Sequence, residues 1–300
     1  MTEDKDLFFK AKYGVDYQEL YINNKVFLRH AKPLIVSLGG SIAHGIGTEQ
    51  EIDGGIRGYN RYLLEYLREE KNFSQADMLD ITLPGYTTYQ SRILIDRVLK
   101  IRKPDLIFLC HGFNDSTPTY TTHKSRAYEN RSWRRTILHY GYKSRIFCVY
   151  AKVIKSIFNP ILESPKTYDP ILVSQVPLSD YRDNLRYIAM RTNEHMIPTF
   201  FITQFIPRSS CREGLEKYFK VMEEVAAQYP NVSYVDVRPD FENIIQTLYR
   251  DTWKDINDEN ADCFQYQNQL FFDCTHPNDF GHYVIFGAIK LNVDLILNKL

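Results

Sequence analysis

Near its carboxyl end the chain reads Phe272-Asp273-Cys274-Thr275-His276-Pro277-Asn278. A carboxylate three residues before a histidine can reach the ring's Nδ1, fix its tautomer and support its positive charge. The other ring nitrogen is then free to take a proton from a hydroxyl. The same pair could open a metal site instead, with Asp279 and His282 as further ligands, although His282 also has an ordinary place in an amphipathic helix. A hydroxyl that such a base could serve stands far upstream, in Gly39-Gly40-Ser41-Ile42-Ala43-His44-Gly45. Glycines around a serine that directly follows a buried strand permit a tight turn with the hydroxyl exposed. The loop equally fits a plain strand-to-helix turn or a phosphate cradle. It lacks the Lys-Ser/Thr of a P-loop, and alanine at position 43 breaks the G-x-S-x-G elbow. A third cluster is His111-Gly112-Phe113-Asn114-Asp115. There the Asn114 amide is placed either to donate to a developing oxyanion or to close an Asx turn. Pro84-Gly85-Tyr86 reads, by itself, as a turn.

These clusters fall at the ends of short apolar runs. Strands are expected at 33–38, 78–83, 105–110, 199–205 and 232–237. Between them lie stretches with apolar residues at helical spacing, at 60–70, 88–101, 179–195 and 212–228, and a closing helix at 278–297. Strands alternating with helices make βαβ units and a parallel sheet. The fold class is therefore α/β: a flavodoxin-like doubly wound sheet of about five parallel strands in a three-layer α/β/α stack. Ligands of such sheets bind beyond the carboxyl ends of the strands, where Ser41, Gly85 and Asn114 stand. Residues 116–170 interrupt the alternation with a helical insertion after the third strand, long enough to act as a lid or binding element.

Composition narrows the function classes. With 37 basic and 37 acidic side chains the 300-residue chain has no net charge, so nothing draws it to nucleic acid as a whole. The neutrality is a cancellation. Residues 121–170 hold ten Lys or Arg against three acids, net +7, and residues 251–280 hold seven acids against one lysine, net −6. The basic insertion fits a scaffold-packed helix, a lid, or peripheral contact with anionic lipid or an acidic partner. Five cysteines without a C-x-x-C pair suit reduced thiols. No signal peptide and no uncharged apolar run of transmembrane length is present, so the expected location is cytoplasmic. The chain reads as one domain over 1–300, with an N-terminal extension at 1–30.

Taken together, Ser41, Gly85, Gly112-Phe113-Asn114-Asp115 and Asp273-Cys274-Thr275-His276 resemble the blocks of the SGNH (GDSL-type) hydrolases over roughly residues 33–297. The resemblance implies an esterase with Ser41 as nucleophile, His276 as general base then acid, and Asp273 orienting it. It also implies an oxyanion hole made by the backbone N–H groups of Ser41 and Gly85 and the side chain of Asn114. No cofactor and no metal are implied. The substrate would be a small-molecule or glycan O-acyl ester. An O-acyltransferase with the same triad and a non-catalytic binding module on the same fold are the alternatives. One departure stands out: the family usually reads Gly-Asp-Ser where this chain has Gly39-Gly40-Ser41, so the geometry of the nucleophile loop is open. His44, His111, Arg57 and Arg208 lie near the same loops and are expected to be packing or surface residues.

Overall fold

Residues 34–39 are Leu, Ile, Val, Ser, Leu and Gly, and all six are buried. A strand covered on both faces needs this near-continuous apolar run rather than an alternating one. The computed structural model describes residues 31–52, 55–119, 173–207, 209–248 and 269–297. The chain divides into two compact units, and nearly all described residues belong to the one formed by 26–117 and 174–300. The expected extension at 1–30 lies outside the described residues, as does nearly all of the insertion expected at 116–170.

That unit is built on five strands: β1 (Leu34–Gly39), β2 (Asp77–Thr82), β3 (Leu106–Cys110), β4 (Thr199–Ile202) and β5 (Val232–Val235). They lie in the order β2-β1-β3-β4-β5 and every pair is parallel. This is the flavodoxin-like doubly wound order. The helices are α1 (Gly58–Glu65, continued by a π-helical turn Tyr66–Glu70), α2 (Thr88–Ile101), α3 (Leu178–Asn193), α4 (Ser209–Ala226), α5 (Arg238–Leu248) and α6 (Asp279–Leu297). On the sheet α2 packs against α3 and α3 against α4, while α6 packs against α1 and α5. In the middle of the sheet Phe108 faces Phe200 across β3 and β4, with rings stacked 4.9 Å apart, and both are fully buried.

Three elements differ from the sequence expectation. β4 stops at Ile202 rather than 205, because the following side chains are used elsewhere. Thr203 Oγ1 donates to Asp236, and Gln204 Oε1 accepts the Phe113 N–H. Helix α5 follows β5 almost directly and has Pro239 as its second residue. A proline there forfeits only an N–H that has no helical partner, so it marks a start rather than a break. A two-stranded hairpin, Glu51–Ile52 with Ile56–Arg57, also lies between β1 and α1. Helix α6 is long and apolar enough to cross a membrane by length and composition. Its Gly281, His282, Ile285, Ile289 and Val293 are buried within the domain, as in a core helix of a globular fold.

Candidate active site

Beyond β1 the backbone turns into a single helical turn, with the His44 N–H bonding Gly40 O and the Ile46 N–H bonding Ser41 O. This turn is tightly enclosed. A Cβ on Gly39 would lie 2.4 Å from the Ala43 Cβ and 2.9 Å from Cys110 O. Ser41 sits at its start, 8% exposed.

The segment after residue 269 returns to the same edge. Leu270 and Phe271 are fully buried anchors. Phe271 bridges to Pro277, the Phe272 N–H bonds His276 O, and the Asn278 N–H bonds Leu270 O. Asn278 then caps α6 through its side-chain oxygen, which accepts the Gly281 N–H. Inside this closed loop Asp273 Oδ1 accepts the N–H groups of both Thr275 and His276 at 2.7 Å. Its Oδ2 lies 2.8 Å from His276 Nδ1, and His276 Nε2 lies 2.9 Å from Ser41 Oγ. Burial pushes the Asp273 carboxyl upward, but the His276 ring and the two backbone N–H bonds outweigh it and hold it below the usual carboxylate range. An ionised Asp273 requires Nδ1–H as donor, which leaves Nε2 as an acceptor facing the serine hydroxyl.

The other two expected loops converge on Gly40. Asn114 lies in the helical turn Phe113–Ser116 that follows β3, and its Nδ2 donates to Tyr86 O at 3.0 Å. Gly85, one residue earlier, has φ +79°, a left-handed backbone that suits glycine. A Cβ on Gly40 would stand 2.6 Å from Asn114 Nδ2 and 3.1 Å from Tyr86 O. Gly40 thus answers the question raised by the departure from Gly-Asp-Ser: in this chain the room beside residue 40 is taken by the Asn114 amide. Ser41, Gly40, Tyr86 and Asn114 therefore form one contact chain, with Asp273 and His276 joined to it through Ser41.

The remaining candidates fall into place around this centre. His44 Nδ1 lies 3.2 Å from Thr82 Oγ1, and burial, helped by nearby Arg57, lowers the ring's pKa against an opposing Thr82 backbone bond. His111 is buried, bonds Ser91 Oγ at 2.7 Å, and burial pushes it down to about 3, so it is neutral. His282, offered as a metal ligand, is fully buried on α6 and its Nδ1 accepts the Tyr59 N–H at 3.3 Å. Among the described residues no group of three or more His, Cys, Asp or Glu side chains is placed to hold a metal ion. Arg57 pairs with Glu51 on the hairpin, and Arg208 lies outside the described residues. Cys110 is a buried free thiol, whereas Cys274 is disulfide-bonded, so the expectation of reduced thiols fails at that position.

Sequence reading gave no role to the residues that buttress these loops, among them Asp115 of the Gly112-Phe113-Asn114-Asp115 block. Asp115 is buried, and its Oδ1 accepts both the N–H (2.9 Å) and the Oγ1–H (2.6 Å) of Thr88. Burial raises its carboxyl to about 7 against the opposing pull of the Thr88 bonds; His111, Tyr181 and Tyr218 are its other titratable neighbours. Gln204 ties the Phe113 N–H to the loop after β4.

A parallel sheet of order 2-1-3-4-5, flanked by helices, carries a serine, a histidine and an aspartate in hydrogen-bond sequence on its carboxyl edge. The chain belongs to the GDSL-like Lipase/Acylhydrolase family, whose model matches residues 37–284, and it is a hydrolase acting on ester bonds. Solved structures of similar fold include Axe2, an acetylxylan esterase from Geobacillus stearothermophilus. It is 16% identical at a TM-score of 0.54, over 86% of this chain and 93% of that one. LAE5, an alpha/beta hydrolase enzyme from the metagenome of Lake Arreo, Spain, is 19% identical at a TM-score of 0.53, over 88% and 95%. No curated protein sequence matches the chain.

Two outcomes are expected from this geometry. Gly40→Ala must displace the Asn114 amide or the Tyr86 carbonyl, so ester hydrolysis should fall by at least about tenfold; an unchanged kcat would show that the contact is not constraining. Asp115→Asn tests the buried carboxyl. Its folded pKa is raised above the ordinary value of about 3.9, so between roughly pH 4 and 7 the folded state holds a proton that the unfolded state has lost, and stability falls as pH rises. The Tm of Asp115→Asn relative to the parent should therefore climb across that window, read by thermal denaturation at successive pH values.

Proposed function

We propose that the chain is a serine esterase that hydrolyses an O-acyl ester through an acyl-enzyme, with a small acyl group carried on a carbohydrate. The observation that carries this reading is the unbroken sequence of hydrogen-bond contacts from Asp273 through His276 to Ser41. Ser41 Oγ attacks the carbonyl carbon as its proton passes to His276 Nε2. Asp273 keeps the ring in the acting tautomer and stabilises the imidazolium that forms. The negative charge on the carbonyl oxygen meets the N–H groups of Ser41 and Gly85 and the Asn114 amide. Collapse expels the alcohol, which takes the proton from His276. Water then attacks the acyl-enzyme, gives its own proton to the same nitrogen, and the carboxylic acid leaves as Ser41 recovers its hydrogen.

The Axe2 structures support the assignment. Three of them are described as catalytic mutants, replacing a serine, an aspartate and a histidine, and that Asp and His stand three positions apart, as Asp273 and His276 do. The acetylated xylan substrate named for that enzyme is the reason for proposing a small acyl group on a sugar.

Ser41→Ala should abolish hydrolysis of p-nitrophenyl acetate and all labelling by a fluorophosphonate probe, and His276→Ala should suppress the labelling. Equal hydrolysis by parent and Ser41→Ala would remove the serine mechanism. Asn114→Ala should lower kcat by about 10²–10³, the usual cost of one oxyanion donor, while far-ultraviolet circular dichroism stays that of the parent. A p-nitrophenyl ester series from acetate to palmitate tests the acyl size, with preference for the shortest chains expected.

A further inference from the structure

Asn114 belongs to a turn of only four residues, and a side-chain amide on so short an element needs outside support to keep one orientation. The neighbouring loop supplies it along a line of contacts. Tyr86 O accepts from Asn114 Nδ2, Thr88 gives both its N–H and its hydroxyl to Asp115 Oδ1, and Ser91 Oγ meets His111 Nε2. Residues 111, 114 and 115 are thus fastened to residues 91, 86 and 88. The central fastening is the most enclosed, since Thr88 and Asp115 are both fully buried. Thr88 Oγ1 also accepts Asn184 Nδ2 at 3.2 Å, and Asn184 Oδ1 accepts from Arg92. The threonine hydroxyl is consequently held from both sides, donating to one partner and accepting from another.

We propose that Thr88 and Asp115 are positioning residues for the oxyanion hole, holding the Gly85 loop and the Asn114 turn in fixed register. The proposal rests on the esterase reading above and adds to it two residues that touch no reacting atom. Three features of their placement favour it. Thr88 is the first residue of α2, so the Asp115 carboxylate lies at the positive end of that helix. Asp115 is the residue after Asn114, so the bonds that hold its carboxylate also anchor the backbone carrying the amide. Thr88 is three residues from Gly85, so the same bonds restrain the other side of the hole. A donor displaced by a fraction of an ångström from the developing oxyanion loses most in the transition state and little in the ground state. The pair should therefore show in kcat and leave KM nearly untouched.

The test uses the full chain and p-nitrophenyl acetate. Thr88→Val keeps the shape and the backbone N–H bond but removes the hydroxyl. It should lower kcat by about tenfold, less than outright loss of an oxyanion donor, with KM within twofold of the parent. Thr88→Ser restores the hydroxyl and should bring kcat back to within about twofold. Thr88→Ala, which introduces no new bulk, is read in the same way against Thr88→Ser if the valine variant does not fold. A kcat for Thr88→Val or Thr88→Ala equal to that of the parent overturns the proposal. So does a Thr88→Ser variant no better than the hydroxyl-free one. Ser41→Ala run alongside separates the two levels: activity retained there defeats the esterase reading itself, whereas an inactive Ser41→Ala beside a fully active Thr88→Val defeats only the positioning role.

Discussion

The contact between Ser41 Oγ and His276 Nε2 spans 2.9 Å in space and 235 residues in sequence. Neither loop can make it alone, and most of the fold exists between the two. The doubly wound order sets β1 between β2 and β3, so the loop after β1 opens at the place where the chain's winding reverses. Helices on both faces there leave a crevice at the strand ends. Ser41 leaves β1 at that place and Asn114 leaves β3 beside it. The closing loop reaches the same edge because Leu270 and Phe271 are buried just before it and α6 is packed on α1 just after it. The geometry of the Ser41–His276 contact is therefore a property of strand order and of two anchors, more than of the four short motifs.

The strands and the four loops could be read from the chain because each depends on local chemistry. A run such as Leu34 to Leu38 has few other fates than a buried strand, and Asp273 with His276 three positions later can form its bond within one loop. Helix α5 was missed because it begins without the usual pause after β5. The buttressing residues were missed for a different reason. Thr88, Ser91, Asn184 and Gln204 carry no pattern that separates them from surface polar residues, Asp115 stood in a quoted block without a role of its own, and their partners lie up to 96 positions away. Their role appears only when the register of the sheet brings α2, α3 and the turn after β3 together.

The polar groups at this edge divide by how their charge is managed. Asp273 is 42% exposed at its side chain and is kept ionised by three donors. Asp115 is wholly buried and is drawn toward its neutral form. Burial pushes His111 and His282 down to about 3, so both are neutral. Among the described residues His276 has a carboxylate on one ring nitrogen and a hydroxyl on the other.

Gly40 carries a consequence for how this sequence can change over time. A single base change can turn some glycine codons into aspartate codons, giving the Gly-Asp-Ser sequence at positions 39–41. Here the Asn114 amide stands 2.6 Å from where the new Cβ would begin. Substituting Asp for Gly40 would therefore require the Asn114 side chain to shift. What side chain position 40 can hold and where the Asn114 amide can stand are thus coupled through this contact.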